Sequence, residues 1–545
     1  MRKGRGPAPW RWLAGRIGPH GGRLVLLCAG TMLSGAVAVA LALAVRELVN
    51  HGIAGESLTP WAAALGTLAA GLLALQLWLR WYSGRTKDLL IRELRHSLLS
   101  ALLSKRHEAL AQRHSEELVS RLGEDAAIVC GEAATLPPSV TGSVVRLAGA
   151  LAALAWLDQG LALLLLVAGA AVGGGAALLR GPIKRCSLRS READSLVRLG
   201  MQESLENREA VKGLGMEGEL LRRAGRLLDG ALVARERLRK LSLTASGGLE
   251  AVTQIGYCAA LVWCVSSVAG GGMSFGTLAA VLQLLLQLRA PVVTLSGIVS
   301  RLSAAAASAE RLLELEELPD EEPDAALPPE AQPRALVFSH VDFCYPGDDK
   351  PVLRDFSLRV EMGDWLCLTG PSGRGKSTVL KLALGFYRPQ AGQVYVETDR
   401  GRIPCGRTAR TLFGYVPQNH ALFYGTIREN LLLADPKADD GRLWSALMKA
   451  GAGFVRDLPQ GLDTMLQENN GGLSEGQGQR IALARALLPD ARFLLLDECT
   501  SALDQATERQ VLRHLRESGR GALLISHHPD ALPVGVAVIQ MEEQT

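Results

Sequence analysis

Long apolar segments alternate with polar, basic segments through the first half of this 545-residue chain. A helix needs about 20 mostly apolar residues to cross the hydrocarbon core of a bilayer. The pattern predicts six membrane-spanning helices, at residues 24–45, 61–82, 139–157, 161–179, 249–268 and 277–299. Residues 1–313 are therefore expected to form an all-α membrane domain with six helices and two long cytoplasmic loops.

The connecting loops differ in length and charge, which predicts how the chain is oriented in the membrane. The segment ahead of the first predicted span and the long loops after the second and fourth spans are rich in Lys and Arg. The other three loops are short and contain one basic residue, Arg46. Because basic loops stay in the cytoplasm, we expect the N-terminus and everything after the sixth span to be cytoplasmic.

Two kinds of region outside the predicted spans are also expected to be helical. In both long cytoplasmic loops leucines recur at helical spacing, so the spanning helices are expected to continue far beyond the membrane. Residues 9–17 are typical of an interfacial helix whose apolar side carries Trp10, Trp12 and Leu13.

The composition changes after the sixth predicted span. Residues 314–333 are acidic and rich in Pro, a composition that cannot bury a core and that predicts an extended linker. From residue 334 to residue 545, strand-like apolar runs alternate with helical patterns, which is typical of an α/β domain. The nine cysteines are scattered without a CxxC pair, so neither a disulfide scaffold nor a zinc site is indicated.

The segment GPSGRGKS at residues 370–377 fits the phosphate-binding pattern GxxxxGK[ST] and follows an apolar strand. Glycines let backbone N–H groups turn inward around phosphate oxygens, and the following helix adds its positive N-terminal dipole. Lys376 is expected to reach the β- and γ-phosphates of a nucleotide, and Ser377 to bind Mg²⁺. The predicted phosphate-binding residues are Gly370, Ser372, Gly373, Gly375, Lys376, Ser377 and Thr378.

A second apolar strand, residues 493–497, ends in two neighbouring carboxylates. Asp497 is expected on the Mg²⁺ side of the site, and Glu498 is placed to polarise an attacking water. The alternatives are that Asp497 caps a helix and that Glu498 is a solvated loop residue.

Short motifs around this P-loop resemble those of ATP-binding cassettes. Residues 343–345 are similar to the strand with the adenine-stacking aromatic, 414–418 to the Q-loop, 473–480 to the signature, 501–504 to the D-loop and 525–527 to the switch histidine. With its fused domain order, the chain resembles an exporter-type half-transporter of the ABC transporter superfamily. The resemblance implies the type 1 (type IV) exporter fold, a six-helix transmembrane domain joined to an α/β P-loop NTPase domain.

The resemblance also implies how ATP is held. Two cassettes close head to tail around two ATP molecules, each bound by the P-loop of one chain and the signature of the other. The implied nucleotide contacts outside the P-loop are Tyr345, Ser474, Gly476, Gln477 and Asp504.

The same resemblance implies the residues that act on the bound ATP. Glu498 is the implied catalytic base, and His527 and Gln418 act beside it. The implied Mg²⁺ ligands are Ser377, Gln418 and Asp497. In the membrane half, residues 115–125 and 203–212 resemble intracellular loops that carry short coupling helices in this family.

Three residues depart from the family pattern, namely Glu475 in the signature, Cys499 after Glu498, and His528 after the switch histidine. A carboxylate at position 475 lies near a phosphate and is expected to weaken ATP-driven closure. Cys499 is either a small buried residue or a redox switch.

Polar residues at mid-span predict a substrate cavity. Arg146 and Arg289 lie near the middle of the third and sixth spans, and Gln283 and Gln287 share one helix face. Because charges at membrane depth usually face a cavity, these four residues are expected to line one that favours a carboxylate or phosphate group. The alternative is that each arginine pairs with backbone or with a neighbouring helix.

These patterns predict an ATPase that exports an amphipathic substrate (a peptide, lipid or drug-like molecule) across the plasma membrane by alternating access. The alternatives are a lipid floppase, an ATP-binding regulatory subunit, or one half of a heterodimeric exporter. The expected cofactors are ATP and Mg²⁺, and the expected partner is a second half-transporter in a homodimer, within membrane lipid. No nucleic-acid partner is expected, and the composition suggests a bacterial source.

Overall fold

The computed structural model of the chain describes residues 9–322, 331–348, 350–371, 373–419, 421–466 and 472–541. Within these ranges, the side chains at 9–10, 164–166, 168–180, 245, 246, 249, 253 and 296 lie outside the description. The chain forms two compact units. Residues 1–100 and 116–316 belong to the first, and residues 101–115 and 317–545 to the second.

The first unit is helical. Its helices are α1 (Pro9–Ile17), α2 (Gly21–Ile53), α3 (Thr59–Leu103), α5 (Ser115–Ser120), α6 (Ala126–Leu157), α7 (Gln159–Glu206), α8 (Arg208–Gly213), α9 (Glu217–Ala269) and α10 (Phe275–Glu316). A π-helical turn joins α5 to α6, and the last residues of α3 pass into the second unit.

Five of the six predicted spans lie in helices whose described residues are long and apolar enough to cross a membrane. The other span, 161–179, lies in α7, and most of its side chains are outside the described part of the chain. Helices α3, α7 and α9 contain 45, 48 and 53 residues, about twice the length that a bilayer requires. They therefore extend well beyond the membrane, as the leucine spacing of the loops predicted.

In the first unit α2, α6 and α10 pack side by side, and α7 packs along α9. The close approach of α2 and α6 depends on two glycines. A Cβ at Gly35 would lie 3.2 Å from the carbonyl oxygen of Gly142, and one at Gly142 would lie 2.9 Å from the Cβ of Thr31. Small residues at such crossings let backbones pack closely where lipid supplies no hydrophobic force.

Helix α1 forms as predicted, but its apolar residues contact protein. Trp12 and Leu13 are buried in a cluster with leucines of α3 and α10. The Trp12 Nε1–H donates to Glu316 Oε2 at 2.6 Å, and Arg16 pairs with the same carboxylate. The expected lipid-facing side is therefore a protein contact at these two residues, and Trp10 lies outside the described side chains.

The second unit contains an α/β domain. Its helices are α4 (His107–Ala111), α11 (Lys376–Ala383), α12 (Ile427–Leu432), α13 (Asp440–Lys449), α14 (Glu475–Leu487) and α15 (Gln505–Arg516). Its strands are β1 (Pro333–Phe343), β2 (Leu353–Glu361), β3 (Trp365–Thr369), β4 (Ala391–Thr398), β5 (Gly401–Pro404), β6 (Phe413–Val416), β7 (Gly425–Thr426), β8 (Met465–Leu466), β9 (Phe493–Asp497), β10 (Gly521–Ile525) and β11 (Ala537–Gln540).

Two sheets form the core of this domain. Strands β2, β1, β4 and β5 pair in that order as an antiparallel sheet. Strands β11, β3, β10, β9 and β6 form a parallel sheet. All five residues of β9 and all five of β10 are buried, which explains why both strands are continuous apolar runs.

The segment 101–115 belongs to the second unit because α4 packs against that unit. The ring of His107 stacks on Phe386 with centroids 4.5 Å apart, and the Nζ of Lys105 lies 2.8 Å from Asp320. Helix α4 begins at His107, ahead of the segment 115–125, and the short helix α5 (Ser115–Ser120) lies inside that segment. The coupling role stays a prediction. Helix α10 ends at Glu316, so the first residues of the predicted linker are helical. The domain boundaries stay predictions.

Candidate nucleotide-binding site

Three neighbouring strands of the parallel sheet bring the predicted motifs together. Ile525 at the end of β10 is opposite Asp497 of β9 and Leu368 of β3. In open α/β sheets, ligands bind outside the carboxyl ends of such strands. The P-loop follows β3, Glu498 follows β9 and His527 follows β10, so all three lie at one edge.

The P-loop has the backbone that its glycines predict. Gly370, Gly373 and Gly375 have φ values of 133°, 81° and 84°, where residues with a Cβ are strained. A Cβ at Gly370 would also lie 2.6 Å from the carbonyl oxygen of Met541. Turns of this kind point successive N–H groups into one concavity that suits an anion. Ser372 lies outside the described residues.

The charged side chain of the P-loop is held inside it. Lys376 is 6% exposed, and its Nζ donates to the carbonyl oxygens of Gly370 at 2.6 Å and Pro371 at 2.8 Å. A buried ammonium group requires partners of this kind. Phosphate oxygens are stronger acceptors than these carbonyls, so the contacts are ones that a bound nucleotide can replace.

Two oxygen-bearing side chains meet beside Lys376. Ser377 Oγ donates to Asp497 Oδ1 at 3.2 Å. Burial raises the pKa of the Asp497 carboxyl, and the Glu498 charge raises it further, while Ser377 and two lysines oppose the shift. A hydroxyl beside a buried carboxylate is the donor chemistry that Mg²⁺ prefers, so these residues fit the ion. The contact differs from the helix cap that was the alternative for Asp497.

Glu498 is in contact with both other predicted catalytic residues. Its Oε2 accepts from Gln418 Nε2 at 3.0 Å, and its Oε1 lies 2.9 Å from His527 Nε2. Its φ is 49°, in the left-handed region that a residue with a Cβ rarely adopts. Such strain persists where surrounding contacts impose it, and here the Glu498 N–H donates to the Ile525 carbonyl at 3.2 Å. The carboxylate is fixed, unlike that of a solvated loop residue.

An aromatic cluster surrounds the predicted adenine-stacking residue. Tyr345 packs edge-on against Phe343 at 5.0 Å and against Tyr387 at 5.2 Å. Its hydroxyl lies 3.0 Å from Thr378 Oγ1, which joins the aromatic cluster to the first turn of α11. Tyr387 was not predicted. It lies in the segment after α11, as one of two adjacent aromatic residues at 386 and 387, and this pair was the available signal.

The signature residues form the start of α14. Ser474 caps the helix, since its Oγ accepts from the Gln477 N–H at 3.3 Å and Gln477 Oε1 accepts from the Ser474 N–H at 2.9 Å. The Ser474 hydroxyl hydrogen can still be donated to another group. Gly476 lies against the D-loop, because a Cβ there would be 2.6 Å from the carbonyl oxygen of Ala502. Asp504 caps α15 by accepting from the Thr507 N–H at 3.0 Å.

Cys499 is buried. It is 5% exposed, and burial raises the pKa of its thiol to about 12. The thiolate is the form that reacts with oxidants and other thiols. The environment therefore favours the interpretation of Cys499 as a small buried residue over that of a redox switch.

In the first unit, a cavity of about 400 Å³ lies between α2, α3, α6 and α10. Arg146 lines it, together with Arg80, which was not predicted. The Nε of Arg146 is buried and has no hydrogen-bond partner within the described residues. The other polar residues of the lining are Thr31, Ser34, Gln76, Ser139, Ser143 and Thr294, and the described lining contains no Asp or Glu.

The other predicted cavity residues have different surroundings. Arg289 forms an ion pair with Glu250 of α9, which is the pairing that the alternative interpretation described. Gln287 Nε2 donates to the Ala38 carbonyl oxygen at 2.9 Å, and Gln283 is half-buried. The described lining of the cavity beside Arg146 does not include Arg289, Gln283 or Gln287. Their substrate roles stay predictions.

Comparison with known proteins agrees with the division of the chain into a membrane domain and an ATP-binding domain. Residues 24–292 match the family described as ABC transporter transmembrane region, and residues 353–501 match the family described as ABC transporter. A bacterial Atm1-family ABC exporter solved with ATP bound has a TM-score of 0.76 over 95% of this chain and 93% of that one, at 23% identity. This likeness confirms the predicted fold.

Two curated relatives are similar over most of the chain. A "Multidrug efflux ATP-binding/permease protein" of Mycobacterium tuberculosis is 31% identical over 515 residues, which are 93% of this chain and 43% of that protein. An "ATP-dependent lipid A-core flippase" of Xanthomonas axonopodis pv. citri is 27% identical over 465 residues, 84% of this chain and 79% of that protein. The chain thus spans less than half the length of the mycobacterial relative.

Proposed function

This chain belongs to the ABC transporters of the exporter type, with membrane and ATP-binding domains in one polypeptide, and we propose that it uses ATP hydrolysis to export an anionic amphipathic substrate. It is a multi-pass membrane protein. The observation that carries the proposal is the Glu498 carboxylate, held between Gln418 and His527 at the edge of the P-loop.

The contacts of the site support one sequence of events. The inward N–H groups of the P-loop and the Nζ of Lys376 bind the phosphates of ATP, and Tyr345 stacks on the adenine. Glu498 accepts a proton from the water whose oxygen bonds to the γ-phosphorus, the bond from that phosphorus to the ADP oxygen breaks, and ADP leaves. His527 and Gln418 hold the two oxygens of Glu498 in place. Ser377, Asp497 and Gln418 would hold Mg²⁺, which neutralises phosphate charge when bound.

A dimer of two copies is part of the proposal. The Ser474 hydroxyl caps α14 and keeps a hydrogen for a γ-phosphate that the other copy's P-loop holds. Both units also expose apolar side chains that a second copy can cover. Leu205 and Leu214 near α8 are 69% and 71% exposed, and Phe423 and Tyr424 before α12 are 56% and 77% exposed. Exposed apolar groups of this kind are typical of protein interaction surfaces.

The location follows from the predicted topology. We propose a bacterial plasma membrane with the N-terminus and the ATP-binding domain in the cytoplasm, since the basic residues lie in the long loops. The excess of positive charge beside α2 and in the long helical extensions supports this orientation.

The cavity beside Arg146 supports the class of substrate. Two arginines, several hydroxyls and no described carboxylate suit a molecule with a phosphate or carboxylate group, and the surrounding helices suit its apolar part. Movement of a lipid between leaflets is the second candidate function. The same cavity favours it, because a lipid headgroup is an anion attached to an apolar chain.

The first test is ATP hydrolysis by the purified chain reconstituted in lipid, compared with Glu498→Gln. The substitution keeps the shape of the side chain and removes the base, so we expect hydrolysis to fall by about 10²–10⁴-fold. Glu517→Gln is the matched control, because it removes the same charge from an exposed position at the end of α15. An intact chain without activity would point to an obligate partner half or a regulatory role.

A further inference from the structure

Gln479 is a buried amide whose polar atoms are both committed to one loop. It lies in the second turn of α14 and is 1% exposed. Its Nε2 donates to Ser501 Oγ at 3.0 Å, and its Oε1 accepts from the Ala502 N–H at 3.1 Å. A buried amide with both ends paired fixes the relative position of the two segments that it joins.

The two segments have separate tasks in the proposed dimer. The start of α14 carries Ser474 and Gly476, which face ATP held by the other copy. The loop that contains Ser501 and Ala502 follows Glu498, which acts on ATP held by its own copy. Gln479 is thus a polar connection between the helix that carries the residues assigned to one ATP molecule and the loop that follows the residue assigned to the other.

Neighbouring contacts make this connection stiff. A Cβ on Gly476 would lie 2.6 Å from the Ala502 carbonyl oxygen, so helix and loop are already in van der Waals contact. The Ser501 N–H donates to the Glu498 carbonyl at 3.3 Å. Thr500 Oγ1 donates to Glu508 Oε1 at 2.7 Å, and both of these residues are buried. A shift of the loop therefore reaches the strained backbone of Glu498.

We propose that Gln479 is a positioning residue that ties the placement of Glu498 to occupation of the signature by the other copy's ATP. The inference rests on the proposed function, because it requires a head-to-tail dimer that hydrolyses ATP. Contact of a γ-phosphate with Ser474 draws the start of α14 toward it. The amide of Gln479 transmits this movement to Ser501 and Ala502, and the loop brings Glu498 into line with its own ATP.

The test is Gln479→Leu in the full-length, reconstituted chain. Leucine keeps most of the buried volume but leaves the Ala502 N–H and the Ser501 hydroxyl without their partner. We expect kcat for ATP hydrolysis to fall about tenfold, in the range of typical coupling between sites, with an unchanged KM for ATP. Gln510→Leu removes the same amide from an exposed position of α15 and should change neither constant.

Ser501→Ala provides a second variant that removes only a hydroxyl. It should also lower kcat. The double variant, with both Gln479→Leu and Ser501→Ala, should be no slower than the slower single variant, because both substitutions act through one connection. In a Glu498→Gln background, Gln479→Leu should leave ATP-driven closure intact, as measured by cross-linking of the two copies. Loss of closure as well would assign Gln479 a structural role in the signature helix.

The outcomes separate this inference from the function on which it rests. If the intact chain hydrolyses ATP through Glu498 while Gln479→Leu retains its kcat within about twofold, the positioning role is wrong and the exporter proposal stands. The positioning role is also wrong if the fold-reductions in kcat of Gln479→Leu and Ser501→Ala multiply in the double variant. If Glu498→Gln does not reduce hydrolysis, the proposed function itself fails.

Discussion

The polar residues of the nucleotide site and those of the membrane cavity are held in opposite ways. In the nucleotide site Lys376, Glu498 and Gln418 all have hydrogen bonds to neighbouring protein groups. In the membrane cavity the Nε of Arg146 is buried without a partner within the described residues. A partnered site is preorganised for one ligand, whereas a buried N–H donor without a partner is available to anions of different shapes. Under the proposed function, the groups that act on ATP are fixed in one unit, whereas the group offered to the substrate is less constrained in the other.

The largest expected effect is on ATP binding at the nucleotide site, where the polar residues have protein partners. Lys376→Ala removes the cation that exchanges its carbonyl partners for phosphate oxygens, so ATP binding should weaken by about 2–5 kcal/mol. Binding of a fluorescent ATP analogue to the reconstituted chain measures the loss. Lys449→Ala, at the exposed end of α13, is the control. Unchanged affinity in Lys376→Ala would show that the P-loop backbone alone holds the nucleotide.

The next effect concerns the cavity, and two arginines that the sequence predicts near mid-span provide a matched pair. Arg146→Ala removes a cation that has an unsatisfied donor, whereas Arg289→Ala removes one that is paired with Glu250. With short-chain phosphatidylglycerol as an anionic amphipathic probe, stimulation of ATPase activity is the measurement. In Arg146→Ala the half-stimulating concentration should rise about tenfold or more, as for loss of a charge-assisted hydrogen bond.

Arg289→Ala should shift the same concentration much less, because its charge is already neutralised by Glu250. With a zwitterionic short-chain phosphatidylcholine, the half-stimulating concentration should be the same for both variants and the unmodified chain. Equal loss in both arginine variants would mean that the whole helix bundle, rather than the cavity beside Arg146, responds to the probe.

Sequence and structure agree best where a motif is local. The positive φ angles at Gly370, Gly373 and Gly375 and the cap at Ser474 follow from residues within a few positions of one another. The meeting of Asp497 with Ser377 was also predictable, because parallel strands place their carboxyl ends at one edge. The fold was predictable for the same reason, because apolar segments and alternating strands and helices are local patterns.

Contacts between distant segments were not predictable in this way. Arg80 of α3 and Arg146 of α6 line one cavity, and no spacing within either segment encodes that arrangement. The pairing of Arg289 with Glu250 joins two helices whose register depends on the whole bundle. Gln479 belongs to a recognised motif, but its hydrogen bonds to Ser501 and Ala502 appear only when the chain is folded.

The smallest expected effect concerns α4, where a titratable ring lies between aromatic and charged groups. His107 stacks on Phe386 and lies edge-on to Tyr387 at 5.7 Å. Burial lowers the pKa of His107 below its ordinary value of 6.5, and the charges of Lys381 and Arg410 lower it further against the opposing effect of Glu321. The packed ring therefore favours the neutral form.

The sign of the pH dependence follows from this shift. A released ring takes up a proton more readily than the packed ring, so packing of α4 is fully stable above pH 6.5 and weakens as the pH falls below that value. Hydrogen exchange of residues 107–111 at pH 7.5 and 5.5 measures the weakening. His107→Phe keeps an aromatic ring on Phe386 and removes the titration, so its exchange, corrected for intrinsic rates, should lose the extra pH dependence.

His107→Ala sets an upper limit on how much the ring stabilises the packing of α4, because an aromatic pair contributes about 0.5–1.5 kcal/mol. His96→Gln, at an exposed position of α3, removes a histidine away from this contact and should leave the pH dependence of α4 unchanged. If His107→Phe kept the same pH dependence as the unmodified chain, the ring of His107 would not be the group that responds to pH.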